Sequence, residues 1–461
     1  MSNLLESSPT AKSQHLNSEL KLLCLSNGHG EDIIAARILQ ELGQHPTPLN
    51  IAALPLVGEG RAYTQLGIPL IGQVQTMPSG GFIYMDGRQL VRDLQSGLLQ
   101  LTLAQLKAVR SWAHSQAAAQ NEGRAILAVG DIVPLLFAYL SGAKYAFVGT
   151  AKSEYYLRDE TGPLARRSLV QRWEGWSGSV YLPWERWLMS RQNCKAVFPR
   201  DSLTTQTLQK WSIPAFDLGN PMMDRLTPVN QNRLLHRSIA DRTLQKRSLT
   251  ITLLPGSRPP EAYANWQLLL VAVAELIETF PNRALLFLGA IAPGLSLEAL
   301  RSTVVNAGFQ EVSTWGSNCI EQSEHPSPIP DPDALTFKQK NAYLILSQHA
   351  YNDCLHSADL AIAMAGTATE QIVGLGKPAI AIPGIGPQFT SAFAEAQSRL
   401  LGPSLILVEQ PTQVAGVVES LLRDADRLEL IAENGLRRMG KPGAARRIAA
   451  CLIERLGQSG I

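Results

Sequence analysis

The chain has 461 residues, 45% of them hydrophobic and 17% charged, with 41 Lys and Arg against 39 Asp and Glu for a formal net charge of +2. That length exceeds what one core organises and predicts two domains, while the near-balanced charge excludes a field suited to nucleic acid. Five cysteines without a C-x-x-C pair (Cys24, Cys194, Cys319, Cys354, Cys451) fit free thiols in a reducing compartment.

In chain order, residues 1–19 are Ser-rich, lack the apolar core of a signal peptide and read as a flexible tail. No apolar run reaches the roughly 18 residues of a spanning helix, so the expected location is cytoplasmic, with peripheral contact on the inner face of a membrane left open. From residue 20 short apolar runs alternate with amphipathic stretches: "KLLCLS", "NIAALPLV", "AILAVG", "KYAFVGT" and "CKAVFPRD", then "LTITLLPG", "ALLFLG", "AYLILS", "LAIAMAG", "PAIAIPG" and "SLILVE". Continuous apolar strands separated by helical patterns predict parallel sheets covered on both faces, an α/β architecture. A polar, basic stretch without strand signal divides the two series. The expected organisation is a first domain over 20–223, a linker over 224–247, a second domain over 248–440, and a final amphipathic helix over 441–461 with Ile448, Leu452 and Leu456 at i, i+4 spacing.

Two stretches interrupt the alternation. Residues 164–191 hold four of the chain's eight tryptophans among five arginines. They suit an interfacial surface, with "FIYMDG" and "SGLLQLTLAQL" adding apolar contact; the competing reading is that the tryptophans pack the domain's own core. Residues 315–336 are Pro- and Ser-rich and read as a surface excursion, in which Asp331 and Asp333 of "DPD" are solvated loop residues and not a metal motif.

Four strand ends carry polar chemistry. In "LCLSNGHGEDIIAARIL" a strand meets Asn27, Gly28, His29, Gly30, Glu31 and Asp32 and turns at once into a helix. In "LLPGSRPPE" Gly256 permits a tight turn, and Ser257 and Arg258 stand at a helix mouth, either as a phosphate cradle or as a Ser cap beside a solvated Arg. In "AGTATEQ" Gly366, Thr367, Ala368, Thr369 and Glu370 open another helix. Thr367 and Glu370 fit a capping box, yet the same mouth suits a diphosphate, with the carboxylate one turn in accepting from ribose hydroxyls. In "PGIGPQF" Gln388 offers a donor and an acceptor to sugar hydroxyls.

"LLPGSRPPE", "AGTATEQ" and "GNPMMD" resemble the motifs LLPGSR-x-x-E, SGTATLE and GHP-L-x-D of lipid-A-disaccharide synthases, the family 19 glycosyltransferases, in the same order over most of residues 20–455. The segment "PQFTSAFAEAQSRLLG" is similar to the Gln-x-x-Asn-Ala segment of the peptidoglycan N-acetylglucosaminyltransferase. The chain most resembles the lipid-A-disaccharide synthase-related group. The resemblance implies a GT-B fold of two facing Rossmann-like domains with an interdomain cleft, the final helix crossing back to the first domain. It implies a UDP-sugar held by the second domain, an acceptor by the first, and no metal or other cofactor, since helix dipoles and Arg258 take the diphosphate's charge. Departures are Asn27–Asp32, where the family has GE-x-SGD, and Ser391, where asparagine is expected.

In that frame Gly28 and Gly30 let the backbone approach a ligand, and His29 is the candidate base for an acceptor hydroxyl, oriented by Asp32 or by Asp131 of "VGDIVP". The alternative is that Glu31 and Asp32 only complement the helix dipole while His29 caps or packs. The implied activity is inverting transfer of an N-acetylhexosamine or hexose from a UDP-linked donor to a lipid-like or glycan acceptor. A non-hydrolysing UDP-sugar 2-epimerase and a non-catalytic nucleotide-sugar binder are the alternatives.

Overall fold

The computed structural model describes residues 20–46, 49–74, 98–115, 123–164, 176–229, 248–312 and 329–457. The tail, "FIYMDG", the first residues of "SGLLQLTLAQL", Trp173, most of the linker, Cys319 and the first part of the Pro-rich excursion lie outside them. The chain divides into two compact units, one of Met1–Val148, Arg191–Ala196 and Ala449–Ile461, the other of Gly149–Ser190 and Val197–Ile448. Residues 149–190 and 197–223, which the sequence reading assigns to the first domain, are thus counted with the second unit.

In the first unit the runs expected as strands form β1 (Leu20–Ser26), β2 (Leu49–Pro55), β3 (Gly123–Gly130), β4 (Lys144–Gly149) and β5 (Cys194–Phe198), in the sheet order β2-β1-β3-β4-β5. β1 lies inside the sheet and pairs in parallel with β2 and β3. Its residues Leu22 to Leu25 are almost wholly buried, as a strand covered on both faces requires. Between the strands run α1 (His29–Gly43), α2 (Arg61–Thr64), α3 (Leu98–His114) and α4 (Ile132–Leu140). α1 turns Ile34, Ile38, Leu39 and Leu42 into the core at helical spacing.

In the second unit a short antiparallel pair, Arg158–Asp159 with Gly162–Pro163, and the helices α5 (Pro183–Met189) and α6 (Ser202–Gln209) precede a sheet of β6 (Ser248–Leu254), β7 (Ala284–Ala290), β8 (Gln310–Glu311), β9 (Leu335–Gln339), β10 (Ala342–Ser347), β11 (Leu360–Ala363), β12 (Ala379–Ala381) and β13 (Leu405–Leu407). The sheet order is β8-β9-β10-β7-β6-β11-β12-β13. From β10 to β13 the pairing is parallel, whereas β9 runs antiparallel to both β8 and β10. This edge ribbon is absent from the sequence reading. "LTFKQ" has only one large buried apolar residue, Phe337, and abuts the Pro-rich stretch. The helices are α7 (Glu261–Thr279), α8 (Leu297–Asn306), α9 (Tyr351–Ser357), α10 (Thr367–Gly374), α11 (Ser391–Leu401), α12 (Val414–Leu422), α13 (Ala425–Met439) and α14 (Ala444–Gly457).

Two details fix the helices that matter for the site. α10 and α13 touch backbone to backbone: a Cβ on Gly435 would fall 2.2 Å from the Val373 carbonyl oxygen. α14 starts on the carboxylate of Asp224, the last residue of "GNPMMD", which accepts from the N–H groups of Gly443, Ala444 and Ala445. Three otherwise orphaned donors at the helix start are satisfied there. Ile448, Leu452 and Leu456 are all buried.

Candidate functional site

The second unit gathers three loops at the carboxyl ends of the adjacent parallel strands β6, β11 and β12. β6 runs into Pro255 and then Gly256, whose φ of +95° lies in the region that favours glycine. A Cβ there would stand 3.3 Å from the Met364 carbonyl oxygen, so the first two loops lie against each other. Ser257 and Arg258 follow, both exposed. The competing Ser cap is not formed, because the cap position of α7 is Pro260 and no side chain bonds it.

One face of α7 then stitches the loops. The Asn265 amide donates to the carbonyls of Pro255 at 3.0 Å and of Met364 at 3.5 Å, and its Oδ1 occupies the space a side chain at Gly384 would need. One turn earlier, the buried carboxylate of Glu261 accepts from the backbone N–H of Gln388 and, at 2.7 Å, of Phe389. Glu261 also stands where any side chain at Gly386 would go. On the far side, the Gln397 amide donates to the Gly366 carbonyl at 3.0 Å. Gln388 keeps its own side chain exposed while its N–H is held.

The capping-box expectation for "TATE" fails. α10 opens at Thr367 with Gly366 as its cap and no side chain bonded to it. Thr367 is exposed, Ala368 is half-buried, and Thr369 turns its hydroxyl back to the Ala365 carbonyl at 2.5 Å. Glu370 does not reach back to the cap, because its Oε2 accepts from Arg200 Nη2 at 2.6 Å in a buried ion pair. A charged partner outcompetes a neutral N–H for the carboxylate. The helix mouth therefore keeps its first-turn N–H groups without a side-chain cap.

In the first unit, β1 ends in Ser26 and the buried Asn27, and α1 begins at His29. Gly28 is extended, with φ 170°, so its backbone needs no glycine; a Cβ on Gly30 would meet nothing within 4 Å. Glu31 and Asp32 lie in the first turn of α1. Asp32 is buried and accepts from Ser26 Oγ at 2.5 Å, and Ser26 Oγ in turn lies 2.5 Å from the Tyr63 hydroxyl. Burial pushes the Asp32 carboxyl up to about 6, the Ser26 bond opposes this, and nearby Glu31 adds to it. Asp131 caps α4 through the Val133 N–H at 2.8 Å. Between them, Asn27 Oδ1 is buried without a hydrogen-bond partner and fills the space beside Gly130, whose φ is +134°.

Two expectations about other segments are corrected. Asp331 is buried and not solvated, accepting from Ser347 Oγ at 2.5 Å and from the N–H of Asp333. It anchors the end of β10. Trp176, Trp184 and Trp187 are 57%, 51% and 46% exposed, so these three do not pack a core. Arg186 lies over the ring of Trp211 at 4.0 Å. Among the described residues no group of three or more His, Cys, Asp or Glu could hold a metal ion, and no helix is long and apolar enough to cross a membrane.

No family model and no curated protein matches the sequence. Solved structures do match its fold. A Neisseria meningitidis UDP-GlcNAc 2-epimerase bound to UDP-GlcNAc is 14% identical, with 94% of this chain and 100% of that one covered and a TM-score of 0.50. Acinetobacter baumannii MurG is 13% identical over 94% and 99%, with a TM-score of 0.52. The calicheamicin glycosyltransferase CalG4 is 12% identical over 97% and 100%, with a TM-score of 0.53. The protein has the GT-B fold, an α/β architecture of two Rossmann-like units with parallel sheets.

Sequence reasoning did not single out Glu261, Asn265, Gln397, Arg200 or Tyr63. Glu261 had a signal, since it closes the LLPGSR-x-x-E pattern. The others act on groups 10 to 170 residues away in the chain, and nothing local marks them.

Proposed function

We propose that this protein is an inverting glycosyltransferase that moves an N-acetylhexosamine or hexose from a UDP-linked donor to a lipid-like or glycan acceptor. The observation that carries the reading is the stitched trio of strand-end loops, with an uncapped helix mouth at Gly366–Thr369 and a buried carboxylate, Glu370, in its first turn. Support comes also from the like-folded structures, among them one bound to UDP-GlcNAc and one named a glycosyltransferase.

In this reading the N–H groups of the Gly256–Arg258 turn and of Thr367–Thr369, with the Arg258 guanidinium, receive the diphosphate. Glu370 accepts from the ribose hydroxyls and Gln388 meets the sugar. The acceptor hydroxyl attacks the anomeric carbon as the bond to the diphosphate oxygen breaks, and its proton passes to His29. The products are an inverted glycoside and UDP. Charge on the leaving group is met by fixed dipoles and Arg258, without a metal ion. The exposed Trp176, Trp184 and Trp187 suit a lipid-like acceptor presented at an anionic membrane surface.

A UDP-sugar 2-epimerase of the same fold is the second reading, favoured by the epimerase among the like-folded structures. Incubation with UDP-GlcNAc separates the two. The transferase reading expects UDP release that depends on added acceptor, and His29→Ala is expected to lower that turnover while UDP affinity stays. Epimer formation without acceptor would replace it with the second reading, and absence of UDP binding by calorimetry would remove both.

A further inference from the structure

Arg200 follows β5 by two residues and is buried at 6% exposure, against 8% for Glu370. Its Nη2 donates to Glu370 Oε2 at 2.6 Å, and its Nη1 donates to the Thr150 carbonyl at 3.2 Å. A guanidinium is kept this far from water only when its donors are paired. The two-point attachment fixes the plane of the fork, and the fork fixes the carboxylate. With Oε2 engaged by Arg200, Oε1 is the oxygen through which Glu370 would reach a ligand. Tyr156 adjoins the pair, and burial pushes its phenol up to about 12. It therefore stays neutral near pH 7 and brings no competing negative charge.

The rest of α10's first turn is pinned as well, by Gln397 on Gly366 and by Thr369 on Ala365. Arg200 adds the hold on the Glu370 side chain itself.

We propose that Arg200 is a positioning residue of the ribose subsite, holding the Glu370 carboxylate in the one orientation that reads the ribose hydroxyls. The inference rests on the reading of Glu370 as the ribose ligand. An ion pair that only joins two segments would share the geometry but would leave ligand discrimination untouched, which makes the two separable.

The experiment compares UDP with 2′,3′-dideoxy-UDP, which lacks both hydroxyls, by calorimetry on the full-length protein and its Arg200→Met and Arg200→Lys variants. Hydrogen bonds to a charged group predict that the parent protein prefers UDP by about 10-fold or more. In Arg200→Met the preference is expected to fall to within about 2-fold by loss of UDP affinity, with dideoxy-UDP affinity kept. Arg200→Lys, which restores charge without the fork, is expected to recover only part of it. Should Arg200→Met not fold, as judged by circular dichroism, Arg200→Lys decides. A full preference for UDP in the folded variants would overturn the inference and leave the transferase reading standing. A parent protein that binds UDP without preferring it would instead overturn the ribose role of Glu370, and the inference with it.

Discussion

At the scale of single residues, Asp32 carries the clearest dependence on pH. Its carboxyl, ordinarily near 3.8, is pushed up to about 6 by burial. Between those values the folded protein holds a proton that the unfolded chain has released, so this group's contribution to stability falls as pH rises through the window. Above it both states are ionised and the penalty is complete, at most roughly 3 kcal/mol for a shift of about two units. Asp32→Asn keeps an acceptor for Ser26 and has no charge to bury. It is expected to match the parent protein near pH 4 and exceed it in stability at pH 7 by up to that amount, measured by denaturant unfolding; a difference that does not change with pH would contradict the assignment. The residue scale is also where the sequence misleads. Thr367 and Glu370 have the spacing of a capping box, and what overrules it is a guanidinium 170 residues earlier in the chain. No window around residue 370 contains that fact. Likewise the acidic "DPD" reads as solvated until Ser347 is seen to bury Asp331.

At the scale of elements, the eleven apolar runs all became strands, because a strand covered on both faces must be apolar throughout and such runs stand out against amphipathic helices. β8 and β9 did not stand out, being an edge ribbon with polar residues on its open side. The motif loops were legible as strand ends, yet the device that makes them one surface was not. It is a matter of helical phase, with Glu261 and Asn265 one turn apart on α7 so that both meet the loops. Glu261→Ala is expected to release the 386–389 loop while leaving the sheet intact. In hydrogen exchange the amides of Gln388 and Phe389 should speed up by about 10-fold or more, the worth of a bond to a charged acceptor, with those of Thr250–Leu254 unchanged. Equal acceleration in both regions would mean that Glu261 supports the unit as a whole.

At the scale of the whole molecule, composition and alternation sufficed for the α/β class, and the motifs sufficed for GT-B, even though like-folded structures share only 12–14% of their residues with the chain. Donor sugar and acceptor are written in side-chain contacts with a ligand, which pattern cannot encode. The tryptophans are a case of pattern leaving both outcomes open, since Trp184 and Trp187 at i, i+3 would serve a core or a surface equally, and their exposure of 51% and 46% decides for surface. If that surface meets lipid, the protein should float with anionic vesicles at low ionic strength, less so as salt rises. The Trp184→Ala, Trp187→Ala double variant should lose most of that binding and keep UDP affinity; no flotation of the parent protein would remove the membrane contact. Finally, because α13 lies directly on the Val373 carbonyl at Gly435, even one methyl there must push α10 aside. If α10 receives the diphosphate, a random library sorted for lost nucleotide capture would return hits at position 435, and a worker mapping them naively would draw the pocket where α13 packs.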